Sequence, residues 1–360
     1  MSGHGWPASD AQWTWQDGLP VDGESQGGLL PLCHGTRAFG PHFPLVTETK
    51  TFGAQERHAG TVPVILNVGG GTASRLGTNL AHSVEQAFTK AGLKSSIRCV
   101  DGRQLSQAVA EAEGPIVVVG GGDGTLGTAA AALAGTGRAL GILPLGTRNH
   151  LALQLGIPTA LEEAAALIAG GNRTEIDLGC AHDRVFVNNF SVGLYPRLVQ
   201  ARERARGPLP KWLATIPAAA SALRHLRVER FRMEWNGAEH QVTTPLLFVG
   251  NNRYLLEAGR LGERTSLSDG RLSVAAVAAP TRVGLLGTML RLILGRIDAD
   301  TDFAALEDVE ELCIYGHHLR HVALDGELVQ MRFPLRLKSW PGALCVIVPA
   351  TQERQSAPAV

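Results

Sequence analysis

From Val62 onward the apolar residues fall into short unbroken runs separated by helical stripes. Val62-Pro63-Val64-Ile65-Leu66 runs into Asn67-Val68-Gly69-Gly70-Gly71, which predicts a buried strand and a glycine turn. Ala81, Val84, Ala87, Phe88 and Ala91 then recur at helical spacing and predict a helix over 79–91. Residues 96–100 read as a strand, 104–112 as a helix, and 115–119 as a third strand, apolar throughout. That strand leads into Gly120-Gly121-Gly122-Asp123-Gly124-Thr125, followed by a small-residue helix over 126–134. Fully apolar strands alternating with helices predict a parallel sheet covered on both faces.

The pattern changes after Glu175-Ile176-Asp177. Short strand-like stretches follow at 185–188, 231–235, 246–249, 272–277, 312–315, 322–324 and 344–348. Between them lie turn signals at Asn236-Gly237, Asp269-Gly270, Asp325-Gly326 and Pro341-Gly342. Two helices are expected within this half, over 208–227 and 281–294. The chain thus divides into an α/β domain with a parallel sheet (61–178) and a second, mainly antiparallel β-sandwich domain (179–350). The last strands are expected to pack back toward the first domain. Residues 1–60 show no sustained period and read as a loosely ordered N-terminal extension carrying Trp6, Trp13 and Trp15, and 351–360 as a tail.

Composition narrows the classes. Thirty-three Lys+Arg balance 33 Asp+Glu over 360 residues, which argues against a nucleic-acid partner. Cys33, Cys99, Cys180, Cys313 and Cys345 are odd in number and far apart, so neither a disulfide framework nor a cysteine zinc site is indicated. The longest apolar stretch, 274–294, is broken by Pro280, Arg282 and Arg291, short of a spanning helix. Trp6, Pro7 and Asp10 stand where a signal peptide needs cations and then an apolar run. The expectation is a cytoplasmic protein, peripheral at the inner face of the membrane if it meets one.

The candidate chemistry starts at the third strand. Consecutive glycines remove the Cβ atoms that would keep phosphates from backbone N–H groups, and the next helix aims its positive end at the same spot. A carboxylate, Asp123, beside phosphates needs a bridging cation, which points to Mg²⁺-linked nucleotide chemistry. Gly122, Gly124 and Gly127 also spell a dinucleotide fingerprint, but no acid follows before Glu162, so the ribose partner is missing. No Walker G-K-[ST] occurs. A ligand-free glycine turn is the plain alternative. A second apolar strand, 141–145, ends in Gly146-Thr147-Arg148-Asn149, where Thr147 or Asn149 is also a candidate cap for a helix over 149–155.

Together these segments resemble the diacylglycerol kinase catalytic family, in particular bacterial YegS-like lipid kinases, over about 62–349. V-V-V-G-G-G-D-G-T (117–125) resembles the family's nucleotide loop, and L-P-L-G-T-R-N (143–149) its G-T-x-N segment. E-I-D-L-G with Asp177 resembles the strand into the second domain, N-N-F-S-V-G (188–193) an S-x-G turn, and L-D-G-E (324–327) a late acidic turn. Two departures stand out: the first turn, Asn67-Val68-Gly69, lacks the family proline, and His150 stands where many members have Asp.

The resemblance implies ATP-dependent, Mg²⁺-assisted phosphorylation of a lipid hydroxyl, that of diacylglycerol or a related lipid. It implies a phosphate cradle of Gly120, Gly121, Gly122, Gly124 and Thr125, with Asn67, Gly146, Thr147 and Asn149 contributing. Asp325 is then the favoured base over Asp123, which is assigned to the metal through the nucleotide. Glu327 supports the metal or orients the base, and Asp177 is a weaker metal or structural acid. The partner is a lipid at a membrane surface; oligomeric state, a homodimer included, stays open. An NAD kinase-like phosphotransferase and a catalytically inactive nucleotide-binding regulator remain as alternatives. His317, His318 and His321 read as solvated or edge-strand histidines before a metal set. The basic run Arg197, Arg202, Arg204, Arg206 and Lys211 suits anionic headgroups or a solvated linker.

Overall fold

The computed structural model describes residues 60–69, 78–193, 228–254, 264–277, 284, 303–316 and 319–350. The first domain runs β1 (Val62–Asn67), α1 (Thr78–Lys90), β2 (Ser95–Val100), α2 (Leu105–Glu111), β3 (Ile116–Gly121), α3 (Asp123–Leu133), β4 (Ala139–Pro144), α4 (His150–Gln154) and α5 (Leu161–Gly170). There follow β5 (Asn172–Ala181), β6 (Arg184–Phe186), β7 (Asn189–Gly193), β8 (Glu229–Trp235), β9 (Ala238–Thr244), β10 (Leu246–Asn251) and β11 (Leu272–Val277). The chain closes with β12 (Phe303–Val309), β13 (Glu311–Tyr315), β14 (Leu319–Leu324), β15 (Glu327–Arg332) and β16 (Leu335–Val348).

Strands β2-β1-β3-β4 pair in parallel, and every residue of β3 and β4 is buried. Their side chains alternate between two cores, as a covered sheet requires. Val117 and Val119 point to the α2–α3 side with Leu105, Val109, Leu126 and Leu133. Ile116 and Val118 point to the α1–α5 side with Val84, Phe88 and Ile168. A second, antiparallel sheet has the order β12-β11-β10-β7-β14-β15. It packs Phe190, Val249, Val274 and Val322 against Phe231, Met233, Leu335 and Leu337 from β8 and β16, forming the sandwich.

The 14-residue β16 joins the halves: it pairs in parallel with β4, antiparallel with β5 along most of its length, and antiparallel with β13. The expected return of the last strand to the first domain is thus observed, but the strand begins at Leu335 rather than near 344. Pro341-Gly342 reads as a turn in sequence; the sheet absorbs it as a register shift between Trp340 and Leu344, with Gly342 at φ +61°. Helix α3 begins three residues earlier than expected. Gly122 is its extended cap residue (φ −94°, ψ −174°), and Asp123 sits in the first turn, where the helix dipole favours an acid. Helix α5 has no counterpart in the sequence reading. The helix expected over 208–227 lies outside the described residues, as does that over 281–294 apart from Gly284, and so do the basic run, His317 and His318.

Candidate active site

Three turns at the carboxyl ends of β1, β3 and β4 meet. Asn67 closes β1; its Nδ2 donates to Thr125 Oγ1 (2.9 Å) in the first turn of α3, and its Oδ1 accepts from Gly69 N (3.0 Å). The β3 and β4 turns touch backbone to backbone: a Cβ on Gly146 would stand 2.4 Å from Gly122 Cα. Only glycine fits there. Asn149 adopts φ +51° and fastens the second turn. Its Oδ1 accepts from Gly146 N (2.9 Å), while Nδ2 donates to Pro144 O (3.3 Å) and Gly146 O (3.1 Å). Asn149 is therefore a staple within the turn rather than a side-chain cap, and it leaves Thr147, Arg148 and His150 exposed at the rim.

Gly120 and Gly121, expected in the phosphate cradle, have a different task. They are buried residues of β3, and a Cβ would come within 2.6 Å of Leu66 Cδ2 at Gly120 and 2.4 Å of Thr125 Cγ2 at Gly121. Their missing side chains allow close packing. The candidate cradle narrows to Gly122, Asp123, Gly124 and Thr125, whose N–H groups open the 11-residue helix α3 and find no carbonyl within it. Asp123 Oδ1 accepts from Leu151 N (3.3 Å), tying α3 to α4, and Oδ2 has no protein donor among the described residues.

The acidic turn of the second domain faces this helix. Asp325 (φ +48°) and Gly326 (φ +83°) form a two-residue hairpin between β14 and β15, with positive φ at both central positions. A Cβ at Gly124 would lie 2.9 Å from Glu327 Oε1, and one at Gly127 3.5 Å from Asp325 Oδ2. Glu327 is exposed beside the first turn of α3, and Asp325 lies one turn further along. The Asp325 carboxylate points inward to three backbone amides: Val187 N (2.8 Å to Oδ2), Asn188 N (2.7 Å to Oδ1) and Asn189 N (3.0 Å to Oδ1). Burial pushes its carboxyl above the ordinary aspartate range, against the pull of those amides and of Arg264. A cavity of about 500 Å³ opens here. Asp325, Glu327 and Gly127 line it together with Asp183, Arg184 and Trp340.

Asp177, a candidate metal ligand, is not positioned for that role. It is buried, and its two oxygens accept from Gly342 N (2.9 Å) and Gly270 N (2.6 Å), so it fastens two turns. Burial raises its pKa above the usual carboxylate range. Sequence reasoning missed Arg264, Gln154, Asn251 and Tyr254, which surround residues 187–189. The N-N-F-S-V-G motif was a partial signal for this place; nothing in the local pattern marks Arg264.

Comparisons with known proteins bear on the family and the fold. The family described as "Diacylglycerol kinase catalytic domain" matches residues 61–181. The "YegS C-terminal NAD kinase beta sandwich-like domain" matches 191–348. A Pseudomonas aeruginosa (strain UCBPP-PA14) protein named "Probable lipid kinase YegS-like" is 30% identical over 281 residues, 76% of this chain and 91% of that protein. The chain belongs to the YegS-like lipid kinase family. A Pseudomonas syringae pv. syringae relative of the same name is 32% identical over 261 residues, covering 69% of this chain and 80% of its own. Among solved structures, one titled as a diacylglycerol kinase from Bacillus anthracis str. Sterne superposes with a TM-score of 0.55 at 17% identity, covering 80% of this chain and 96% of that one. A second chain from that organism reaches 0.61 at 21% identity, covering 80% and 95%. These structures bear on the fold: a parallel-sheet α/β domain followed by an antiparallel β-sandwich. YegS-like membership makes the chain a lipid kinase-like phosphotransferase.

Proposed function

We propose that this YegS-like chain transfers the γ-phosphoryl group of ATP to a hydroxyl of diacylglycerol or a related lipid, with Glu327 as the base. The observation that carries the reading is the facing pair: the glycine-lined start of α3 on one domain, and two carboxylates of the β14–β15 turn against Gly124 and Gly127 on the other. The N–H groups of Gly122 to Thr125 would bind phosphate oxygens, with Asn67 holding Thr125 in place. The residues also fit a Mg²⁺ ion, because Asp123 offers one carboxylate oxygen without a protein donor beside that cradle. The ion would neutralise charge on the phosphates.

The base follows from where the two acids sit. Asp325 was favoured from sequence, yet three amides already occupy its carboxylate, and one more acceptor direction is all that is left. Glu327 is exposed, next to the first turn of α3 where the γ-phosphoryl group would lie. In this reading Glu327 takes the proton of the acceptor hydroxyl as its oxygen bonds to phosphorus and the bond to the ADP oxygen breaks. Asp325 fixes the turn that aims Glu327. The cavity, whose lining combines the two acids with apolar residues such as Val329 and Trp340, suits the hydroxyl-bearing end of an amphiphile.

Among the described residues no helix is long and apolar enough to cross a membrane. The acceptor in this proposal, being a lipid, is met at a membrane surface. The test is a panel of diacylglycerol, phosphatidylglycerol, a sphingoid base and NAD⁺, each with labelled ATP and Mg²⁺. Label is expected in a lipid product. Label in NAD⁺ alone, or nucleotide binding with no transfer to any acceptor, would overturn the reading.

A further inference from the structure

Residues 187–189 present nearly every backbone group to a partner. Their three N–H groups hold Asp325. Val187 O accepts from Arg264 Nη1 (2.8 Å) and Asn251 Nδ2 (2.9 Å), and Asn188 O accepts from Asn251 N (2.8 Å) and the Tyr254 hydroxyl (2.9 Å). Arg264 does more than pair with one carbonyl. Its Nη2 also donates to Asn188 Oδ1 (3.1 Å), and Nε (2.9 Å) and Nη2 both donate to Gln154 Oε1. Gln154 is the last residue of α4, the helix whose Leu151 N–H is held by Asp123. One guanidinium therefore joins the helix bound to the nucleotide-side acid to the peptide segment that presents the hairpin-side acid.

We propose that Arg264 is a positioning residue for phosphoryl transfer: by bridging Gln154 to Val187 and Asn188, it holds the Asp325–Glu327 turn in register with the start of α3. The role rests on the function proposed above. A planar group with five donors suits it, since Val187 O, Asn188 Oδ1 and Gln154 Oε1 lie in three directions around the guanidinium. A lysine ammonium, a single point of charge, cannot reach all three. Charge adds to geometry. Among the described residues no carboxylate forms an ion pair with Arg264, and Asp325, on the other side of the 187–189 segment, is the acid that acts on it electrostatically. Reactions of this kind depend on placement to within about 1 Å, so a loosened turn lowers turnover before it lowers binding.

The test combines kinetics with amide exchange on full-length Arg264→Lys, Gln154→Ala and the double variant, well below their melting temperatures. With the lipid acceptor found in the panel, kcat should fall about 10- to 100-fold in each single variant, while KM for ATP changes less than about threefold. The double variant should be little worse than either single one, because both remove the same bridge. Exchange should accelerate in both 150–154 and 187–189. Unchanged kcat, multiplicative losses in the double variant, or a lower melting temperature with intact kcat would overturn the proposal. Should the wild type label no lipid, the functional reading fails on its own. The exchange arm still decides the bridge: unaltered exchange at 187–189 in Arg264→Lys refutes it. Gln154→Ala, which touches only the α4 end, serves if Arg264→Lys does not fold.

Discussion

Asp325 and Glu327 are two positions apart and chemically alike, yet their surroundings divide them. The positive φ of Asp325 turns its carboxylate back onto the 187–189 amides, while Glu327, at the first position of β15, stays exposed against Gly124. L-D-G-E is readable as an acidic hairpin from sequence, but the inward turn of the Asp325 carboxylate depends on amides 136 to 138 residues away. No local pattern carries that. Asp325→Asn keeps the size but sets an NH₂ group against N–H donors, so the turn should shift. Lipid phosphorylation is expected to fall about 10-fold or more, with Mg·ATP affinity within about threefold of wild type. Titration calorimetry beside the transfer assay checks both, and a large loss of nucleotide affinity would place Asp325 on the phosphates instead.

Among the elements, β3, α3 and β4 were legible because apolar runs ending in glycine have few other solutions. What was not legible is which glycines serve packing and which serve a ligand. Gly120 and Gly121 are glycine because Leu66, Leu145 and Thr125 occupy the space of a Cβ. Gly146 is glycine because the β4 turn rests on Gly122. Helix α5 was missed because its alanine-rich sequence lacks a strong polar face, and β16 was cut short by a Pro-Gly that the sheet tolerates as an irregularity. Gly146→Ala would force the two turns apart by the depth of a methyl group. It is expected to cost about 1–3 kcal/mol of stability in denaturant unfolding and to weaken nucleotide binding, since both turns meet at the cradle. Unchanged stability and binding would show that the turns do not depend on that contact.

For the whole molecule, the two halves share one sheet: β16 runs alongside β4 and β5 and continues to β13. That continuity sets the acidic turn of the sandwich against α3; the return of the last strand to the first domain is readable in sequence, while the length and register of that strand are not. Pairing between β4 and β16 is separated by about 200 residues of chain and leaves no periodic signature. The most direct measurement is the rate of label transfer from ATP to lipid by Glu327→Gln, taken together with its Mg·ATP dissociation constant. The variant keeps size and polarity but cannot accept the hydroxyl proton, so transfer should fall about 10²-fold or more with nucleotide binding nearly unchanged. Transfer within a few-fold of wild type would contradict the assignment and return the role of base to Asp325 or Asp123.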